Sequence, residues 1–579
     1  MQTKPVNPPP SAVPQTQTAW VLFALAVVWF AIFFRLGSLP LLQPDEGRNA
    51  EVGREMKESG AWLSPSYDGI AYLDKPAFYF KAVALSLAAF GDNETAARIP
   101  SAVFGLALLA LTYGFCRRVY GPRCAILAVI IIATMPLFTV NSRTVIFDIA
   151  LAFFVSAAIF TGYWAEECDG KSRHNWYLLS ALAAGFATLV KGPVGFLIPS
   201  LVLFVFHRVE GRRGVWKRFF APLNLLVFFG VTLPWFIGLS RQHPDFPYYG
   251  IIEESFHRFT TASFHRTQPI YFYVLIVMGL FLPWSFILPE AGISAWKNKW
   301  FASRADRLCL VWSVVVVIFF SLSKSKLPGY ILTVTVACGI LVARLFQQAM
   351  VNPGGKAARI TGRAAITFAV LCVLVAGAAI YLSSRMDSLA KPLSLPVADV
   401  EELGRSFTTA IILLLVFAVL GLLARFRRDA RLGFIVFAVF PLLLFTLNFG
   451  AIEVVFNVKS ARQLAQKIPA LPPQTQMVFL ECFPNGLPFY LDRTATLVTK
   501  DGNELTSNYI LFSLKHDPEW PTNLVASTNF DSWILRQTHP VYLVALENDR
   551  PRLNAIVGVQ KTDIQSLTPP YIGVLLSAP

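Results

Sequence analysis

Residues 19–56 read AWVLFALAVVWFAIFFRLGSLPLLQPDEGRNAEVGREM. The first half is an apolar run long enough to enter a bilayer, whose hydrocarbon core takes about 20 helical residues. The second half turns polar at once, opening with Pro44, Asp45 and Glu46. A proline at a first helical position, with acids at the positive end of the helix dipole, predicts a helix start there. Asp45, Arg48 and Asn49 then occupy neighbouring positions of one face at the water boundary. The plainest role for Asp45 and Glu46 is a solvated first turn, and further charged residues on the same side raise the alternative of a site.

The rest of the chain follows the first half. Hydrophobic residues make up 55% of the 579 positions, and the mean hydropathy is +0.53. A soluble domain has too little core for that fraction, so a polytopic α-helical membrane protein is predicted. The net charge of +15 then reads as positive-inside topology and contact with anionic membrane lipids, and no nucleic-acid partner is expected. Residues 1–18, rich in Pro, Gln and Thr, read as a disordered cytoplasmic lead without the n-region or cleavage site of a signal peptide. Cys116, Cys124, Cys168, Cys309, Cys338, Cys372 and Cys482 form no CxxC pair, so neither a disulfide framework nor a thiolate metal site is indicated.

Thirteen hydrophobic runs are read, at 19–42, 97–116, 120–140, 148–165, 175–191, 193–207, 219–240, 269–289, 307–323, 328–346, 364–383, 406–425 and 432–450. With a cytoplasmic N-terminus, the basic stretches RRVYGPR, HRVEGRRGVWKR, WKNKWFASRADR, 344–363 and ARFRRDAR all fall on one side, which sets the orientation. The transmembrane domain is placed at 19–450. The opposite side receives loops 43–96 and 241–268, short turns at 141–147 and 321–329, and a soluble domain at 451–579. That tail alternates short apolar runs with Pro, Asn and Asp-Gly turn signals, which suggests a small α/β or mostly β fold. The segment 76–90 is apolar but too short to cross, so it should lie along the interface or pack against the spans.

Chemistry-bearing residues collect on this second side. In NSRTVIFDIALAFF, Asp148 begins a span five residues after Arg143; an N-capping role is the alternative to a catalytic one. Lys75 stands in YLDKP, and Lys324 and Lys326 stand in SLSKSKLPGY, where positive charge at an exported turn suits a lipid phosphate. Snorkelling side chains are the simpler account of that pair. The loop 241–273 holds His243, His257 and His265 with Glu253 and Glu254. His257, His265 and Glu253 could take a divalent ion, but no HxH or HExxH spacing is present, and an aromatic, basic loop against lipid fits as well. Phosphate-binding glycine loops, GxSxG elbows and a covalent nucleophile are not evident, which argues against a nucleotide-sugar substrate.

The ordered set LLQPDEGRNAEVGREM, YLDKP, TVIFDIALAFF, HRF…HR and SKSKLPGYIL resembles the bacterial lipid A aminoarabinose transferases over residues 20 to about 350. These are relatives of the protein O-mannosyltransferases and share the GT-C membrane glycosyltransferase fold. The resemblance implies an inverting glycosyltransferase that moves 4-amino-4-deoxy-L-arabinose from undecaprenyl phosphate to lipid A phosphate at the periplasmic face of the inner membrane, giving polymyxin resistance. It places the catalytic acids at Asp45 and Asp148. It places Lys75 and Tyr330 at the donor phosphate and lipid, to which the same side of the chain adds Arg48, Tyr72, Arg258, Arg266, Lys324 and Lys326, with Glu46, Asp74 and Asn49 expected at the sugar. No cofactor is required by that chemistry, although a divalent metal could take part, and a monomer is the family expectation. Family members read QPDETRYAE and FEKP, where this chain has Gly47, Asn49 and Asp74. Those departures bear on sugar recognition more than on reaction class. Two alternatives stay open: the same fold acting on a protein or another glycan, and a transporter of anionic lipid. The second is opposed by span centres almost free of charge.

Overall fold

The computed structural model describes residues 15–212, 214–261, 266–290, 292, 303–385, 396–516, 519–556 and 564–576. Every one of the thirteen apolar runs folds as a helix or as a bent helical pair. Eight are long and apolar enough to cross a bilayer singly, and two more qualify only as bent pairs. Of the remaining three, Gln15–Phe33 is apolar over 19 residues, Gly170–Lys191 has a polar first half, and Val194–Val209 is 16 residues long. Among the described residues, eight to ten spans are counted by length and composition, and the thirteen expected runs are all helical, with ends and bends that differ from the runs as read.

The differences have local causes. The first helix stops at Phe33, and Arg35 turns left-handed at φ 51° before Gly37 and Pro40. The run 120–140 breaks between Pro122–Ala133 and Pro136–Arg143, bending 70°; Pro136 has no N–H to continue the first helix and suits the start of a second. The run 269–289 breaks at Pro283, with a 115° bend between Phe272–Leu280 and Trp284–Glu290.

At one end of the bundle the helix-connecting turns are tied by ion pairs. Glu166 accepts from Arg218 and Tyr177, Glu210 from Arg304 and Arg307, and Asp306 from Arg344 and Tyr120. At the other end the chain passes into a mixed six-stranded sheet of β1 (Gln476–Leu480), β2 (Thr496–Thr499), β3 (Leu524–Ala526), β4 (Val541–Leu546), β5 (Gln565–Ser566) and β6 (Tyr571–Leu576). Its order is β3-β2-β1-β4-β6-β5. The first four neighbours run parallel, and β6 pairs antiparallel with β4 and β5. Strand alternation divides the core: Met477 and Phe479 pack toward the bundle, while Val478 and Leu480 pack with Phe530 and Leu553 on the far face.

The first loop lies between bundle and sheet. Its helix Asp45–Ser59 is nearly all buried, and the short hairpin Ser66–Tyr67/Ile70–Ala71 follows it. Tyr67 donates to Asn485, Asp68 accepts from the Ala495 N–H at 2.7 Å, and Arg54 reaches Asp492 at 2.6 Å. Helix Phe78–Phe90 packs against this helix through Phe80, Val83 and Ala84. The loop is a clamp, which fixes everything it carries.

Candidate functional site

Two helix termini supply the first polar pair. Asp148 opens Asp148–Ala165 and Lys191 closes Gly170–Lys191, so the acid sits at a positive dipole end and the ammonium at a negative one. Lys191 donates to the Asp148 carboxylate. Its Nζ also lies 4.4 Å from the ring centre of Tyr330 and 5.2 Å from that of Phe147, within reach of cation–π attraction. The turn before Tyr330 can approach only because residue 329 is glycine: a Cβ there would stand 3.1 Å from Asp148 Cγ and Oδ2.

A second cluster forms where the first loop meets the π-helical turn Tyr249–His257. Lys75 Nζ donates to the Asp74 carbonyl at 2.6 Å and to the Glu254 carboxylate, which also accepts from Arg258 one turn on. Burial pushes the Glu254 carboxyl up, but Lys75 and Arg258, with Arg266 further off, outweigh it and hold the group below the usual carboxylate range. Glu254 is therefore an anion with two cations competing for it.

Both clusters sit at one end of a cavity of about 640 Å³, within the range of small-molecule and cofactor sites. Lys75, Lys191, Glu254, Arg258 and Tyr330 line that end, and Leu197, Phe228, Leu233, Phe236, Ile251 and Phe259 line the remainder. Three cations, Lys75, Lys191 and Arg258, stand here against three carboxylates, Asp74, Glu254 and, behind Lys191, Asp148, and Lys75 and Arg258 share Glu254 between them. The shape and charge suit an amphipathic ligand with a phosphate head and a long apolar tail.

The structure separates the sequence-nominated residues. Asp45 is half-exposed and pairs with Arg48 at 2.5 Å; Arg48 also reaches Thr506, and its guanidinium lies 5.7 Å from the Tyr72 ring centre. None of these lines the cavity, and Asp148 reaches it only through Lys191. Glu46 and Asn49, expected at the sugar, stand off the cavity lining. Glu46 is sealed, accepting from Arg98 Nε and Nη2 and from the Leu42 and Val145 N–H groups, each at 3.0 Å. Asn49 is buried and donates to the Val145 carbonyl at 2.7 Å. Asp74 borders the cavity, yet its carboxylate accepts from Tyr249 Oη, Tyr509 N and Asn508 N. It fastens the helix Asn508–His516 to the first loop.

Lys326 is buried and donates to the Ser323 and Gln268 carbonyls, so it stabilises its turn, while Lys324 is exposed; neither lines the cavity. Arg266 pairs by backbone with Lys326. His257 bonds Glu253 at 3.1 Å, and His265 lies outside the described residues. Among the described residues, the group of three acids near enough to share an ion is Glu58, Asp92 and Asp492, exposed and away from the cavity. The departure at Gly47 also has a structural cause: a Cβ there would meet Gly486 Cα at 2.5 Å. Two residues at the polar end were not nominated for it from sequence, Lys191 and Glu254. The signal for Lys191 was a lone lysine ending an apolar run before Gly-Pro on the same side as Asp148.

Fold and cavity together define a polytopic membrane protein of the GT-C glycosyltransferase architecture. A family model for dolichyl-phosphate-mannose-protein mannosyltransferase matches residues 74–237. The chain is 30% identical over 347 residues, 59% of its length and 62% of the relative's, to an undecaprenyl phosphate-alpha-4-amino-4-deoxy-L-arabinose arabinosyl transferase of Edwardsiella ictaluri. It is 33% identical over 340 residues, 58% of this chain and 60% of the relative, to one from Sodalis glossinidius. These alignments span about three fifths of each curated relative. The crystal structure of ArnT from Cupriavidus metallidurans bound to undecaprenyl phosphate superposes with a TM-score of 0.80 at 26% identity, covering 97% of this chain and 98% of that one. Within the GT-C class, the chain is similar to the undecaprenyl phosphate-aminoarabinose arabinosyl transferases.

Proposed function

We propose that this protein is an inverting glycosyltransferase that moves 4-amino-4-deoxy-L-arabinose from undecaprenyl phosphate to a lipid A phosphate, acting at the periplasmic face of the bacterial inner membrane. The observation that carries the reading is the cavity: mostly apolar in lining, with Lys75 and Arg258 gathered around Glu254, and with Lys191, held by Asp148, on the same lining. The polyprenyl chain would occupy the apolar part, and the phosphate would take over from Glu254 as partner of Lys75 and Arg258.

The chemistry follows from that placement. A lipid A phosphate oxygen attacks the anomeric carbon in line, a new C–O bond forms, and the bond to the polyprenyl phosphate oxygen breaks with inversion. Negative charge grows on the departing phosphate, where fixed cations in a water-poor cavity can supply several kcal/mol. The nucleophile is already ionised, so the step needs no general base, and the leaving group is already a phosphate, so it needs no cofactor. Lys191, held by Asp148 and stacked on Tyr330, orients the third cation toward the same end. Asp45, half-exposed at the edge of the clamp, is left to contact the acceptor or the sugar amine from outside.

Mass spectrometry of lipid A from a transferase-deficient strain carrying this chain tests the reading. An aminopentose adduct on a phosphate is the expected result. Normal expression with no adduct would overturn the lipid A assignment, and an adduct on another glycan or a protein would keep the reaction class while replacing the acceptor.

A further inference from the structure

The end of the bundle away from the sheet holds a second cavity, of about 430 Å³, where Lys356–Ser383, Val397–Phe426 and Ala430–Leu447 meet. It exists because small residues line those helices: Ala358, Gly362, Ala424 and Gly433 leave room that larger side chains would fill. Phe346 and Phe437 give it aromatic walls. Four arginines surround it, Arg359, Arg363, Arg425 and Arg428. Arg363 is paired with Glu290 at 2.5 Å. Among the described residues, Arg359, Arg425 and Arg428 have no carboxylate partner. The one acid on the wall, Asp429, uses Oδ1 to cap Ala430–Leu447 through the Arg431 and Leu432 N–H groups.

The acids Glu166, Glu210 and Asp306 at this end are each matched by arginines, and the recess brings three guanidiniums without a carboxylate partner around one space. Guanidinium groups are suited to phosphate oxygens. The N-terminus of Lys356–Ser383, without a side-chain cap, opens on the same space, while that of Ala430–Leu447 is capped by Asp429 and the last turn of Val397–Phe426 brings a negative dipole end. The surroundings point to a lipid as the source of the phosphate: Phe426, beside Arg425, is 77% exposed, and Leu422 and Leu423 are exposed one turn earlier. From these observations we propose that this recess binds the phosphodiester headgroup of an anionic phospholipid of the adjacent leaflet, with its acyl chains along the exposed face of Val397–Phe426. The site is separate from the cavity assigned to the donor, and it stands whether or not the transferase reading does.

The test uses the full chain purified in mild detergent, probed by native mass spectrometry with phosphatidylglycerol, with phosphatidylethanolamine, and with inorganic phosphate as competitor. Phosphatidylglycerol should stay bound under activation that strips phosphatidylethanolamine. The combined variant Arg359→Gln, Arg425→Gln, Arg428→Gln should lose that retention by at least about tenfold. Gly433→Leu, which keeps every charge and fills the recess, should lose it as well, and matching thermal midpoints would show that both variants fold. Equal retention of the two lipids, or no change in the arginine variant, would overturn the site. Loss in the arginine variant with none in Gly433→Leu would also overturn it, in favour of diffuse surface charge. Displacement of the lipid by millimolar phosphate would overturn the lipid as the natural source.

Discussion

Replacing Lys75 by Met removes one ammonium from the polar end of the donor cavity while keeping the length of the side chain. Lys75 Nζ has two protein partners, the Asp74 carbonyl and the Glu254 carboxylate, so a donor phosphate has to compete with Glu254 for it. A hydrogen bond to a charged group contributes about 1.5–3 kcal/mol, which is about 10–150-fold in Kd. Arg258 and Lys191 remain in the variant, so undecaprenyl phosphate binding should weaken by that factor and not vanish. Glu254→Gln is the converse change. It keeps the shape but withdraws the negative charge shared by Lys75 and Arg258, so it should leave affinity equal or tighten it. Titration of undecaprenyl phosphate into the purified protein in nanodiscs, with bound fractions read by native mass spectrometry, gives both constants. A shift of the same sign in the two variants, or a Lys75→Met constant within about twofold of wild type, would refute the competition between Glu254 and the phosphate.

Other consequences follow from the same contacts. Glu46→Ala would strand the buried Arg98 and two backbone N–H groups, lowering stability by about 3–5 kcal/mol; an unchanged thermal midpoint with altered sugar selectivity would restore the sugar contact instead. Gly47→Thr would drive a side chain into the Gly486 backbone, so limited proteolysis should cut faster between 459 and 475 than in wild type. Gly329→Ala would push on Asp148 and tilt it from Lys191, with kcat falling about tenfold while expression and donor binding persist. The depressed Glu254 carboxyl contributes stability that is present above its ordinary value of 4.5 and is lost as pH falls through the lower folded one. Protection against hydrogen exchange over Tyr249–His257, corrected for the intrinsic pH dependence of amide exchange, should accordingly hold above pH 4.5 and fall only at lower pH.

The helices were legible because apolarity needs only the local sequence, and their bends were not, because Pro136 and Pro283 break runs that hydropathy sees as continuous. The gathering of charge at one end was legible from the orientation of the loops. The roles within it were not, since each is decided by a distant partner. Asp45 and Glu46 are adjacent in sequence, but a helix turns about 100° per residue, and one faces out toward Arg48 while the other meets Arg98, 52 residues on. Asn49 and Asp74 carry the residue types of a sugar site, yet Val145 holds the first and the helix beginning at Asn508 holds the second. The first loop is gripped by the bundle on one side and the sheet on the other, so a polar residue there is more often a fastening than a reagent. What distinguishes Lys75, Arg258 and Glu254 is that two cations share one anion beside an apolar cavity. An arrangement of that kind holds together alone, and it can also release a cation to a phosphate without leaving a buried charge unpaired.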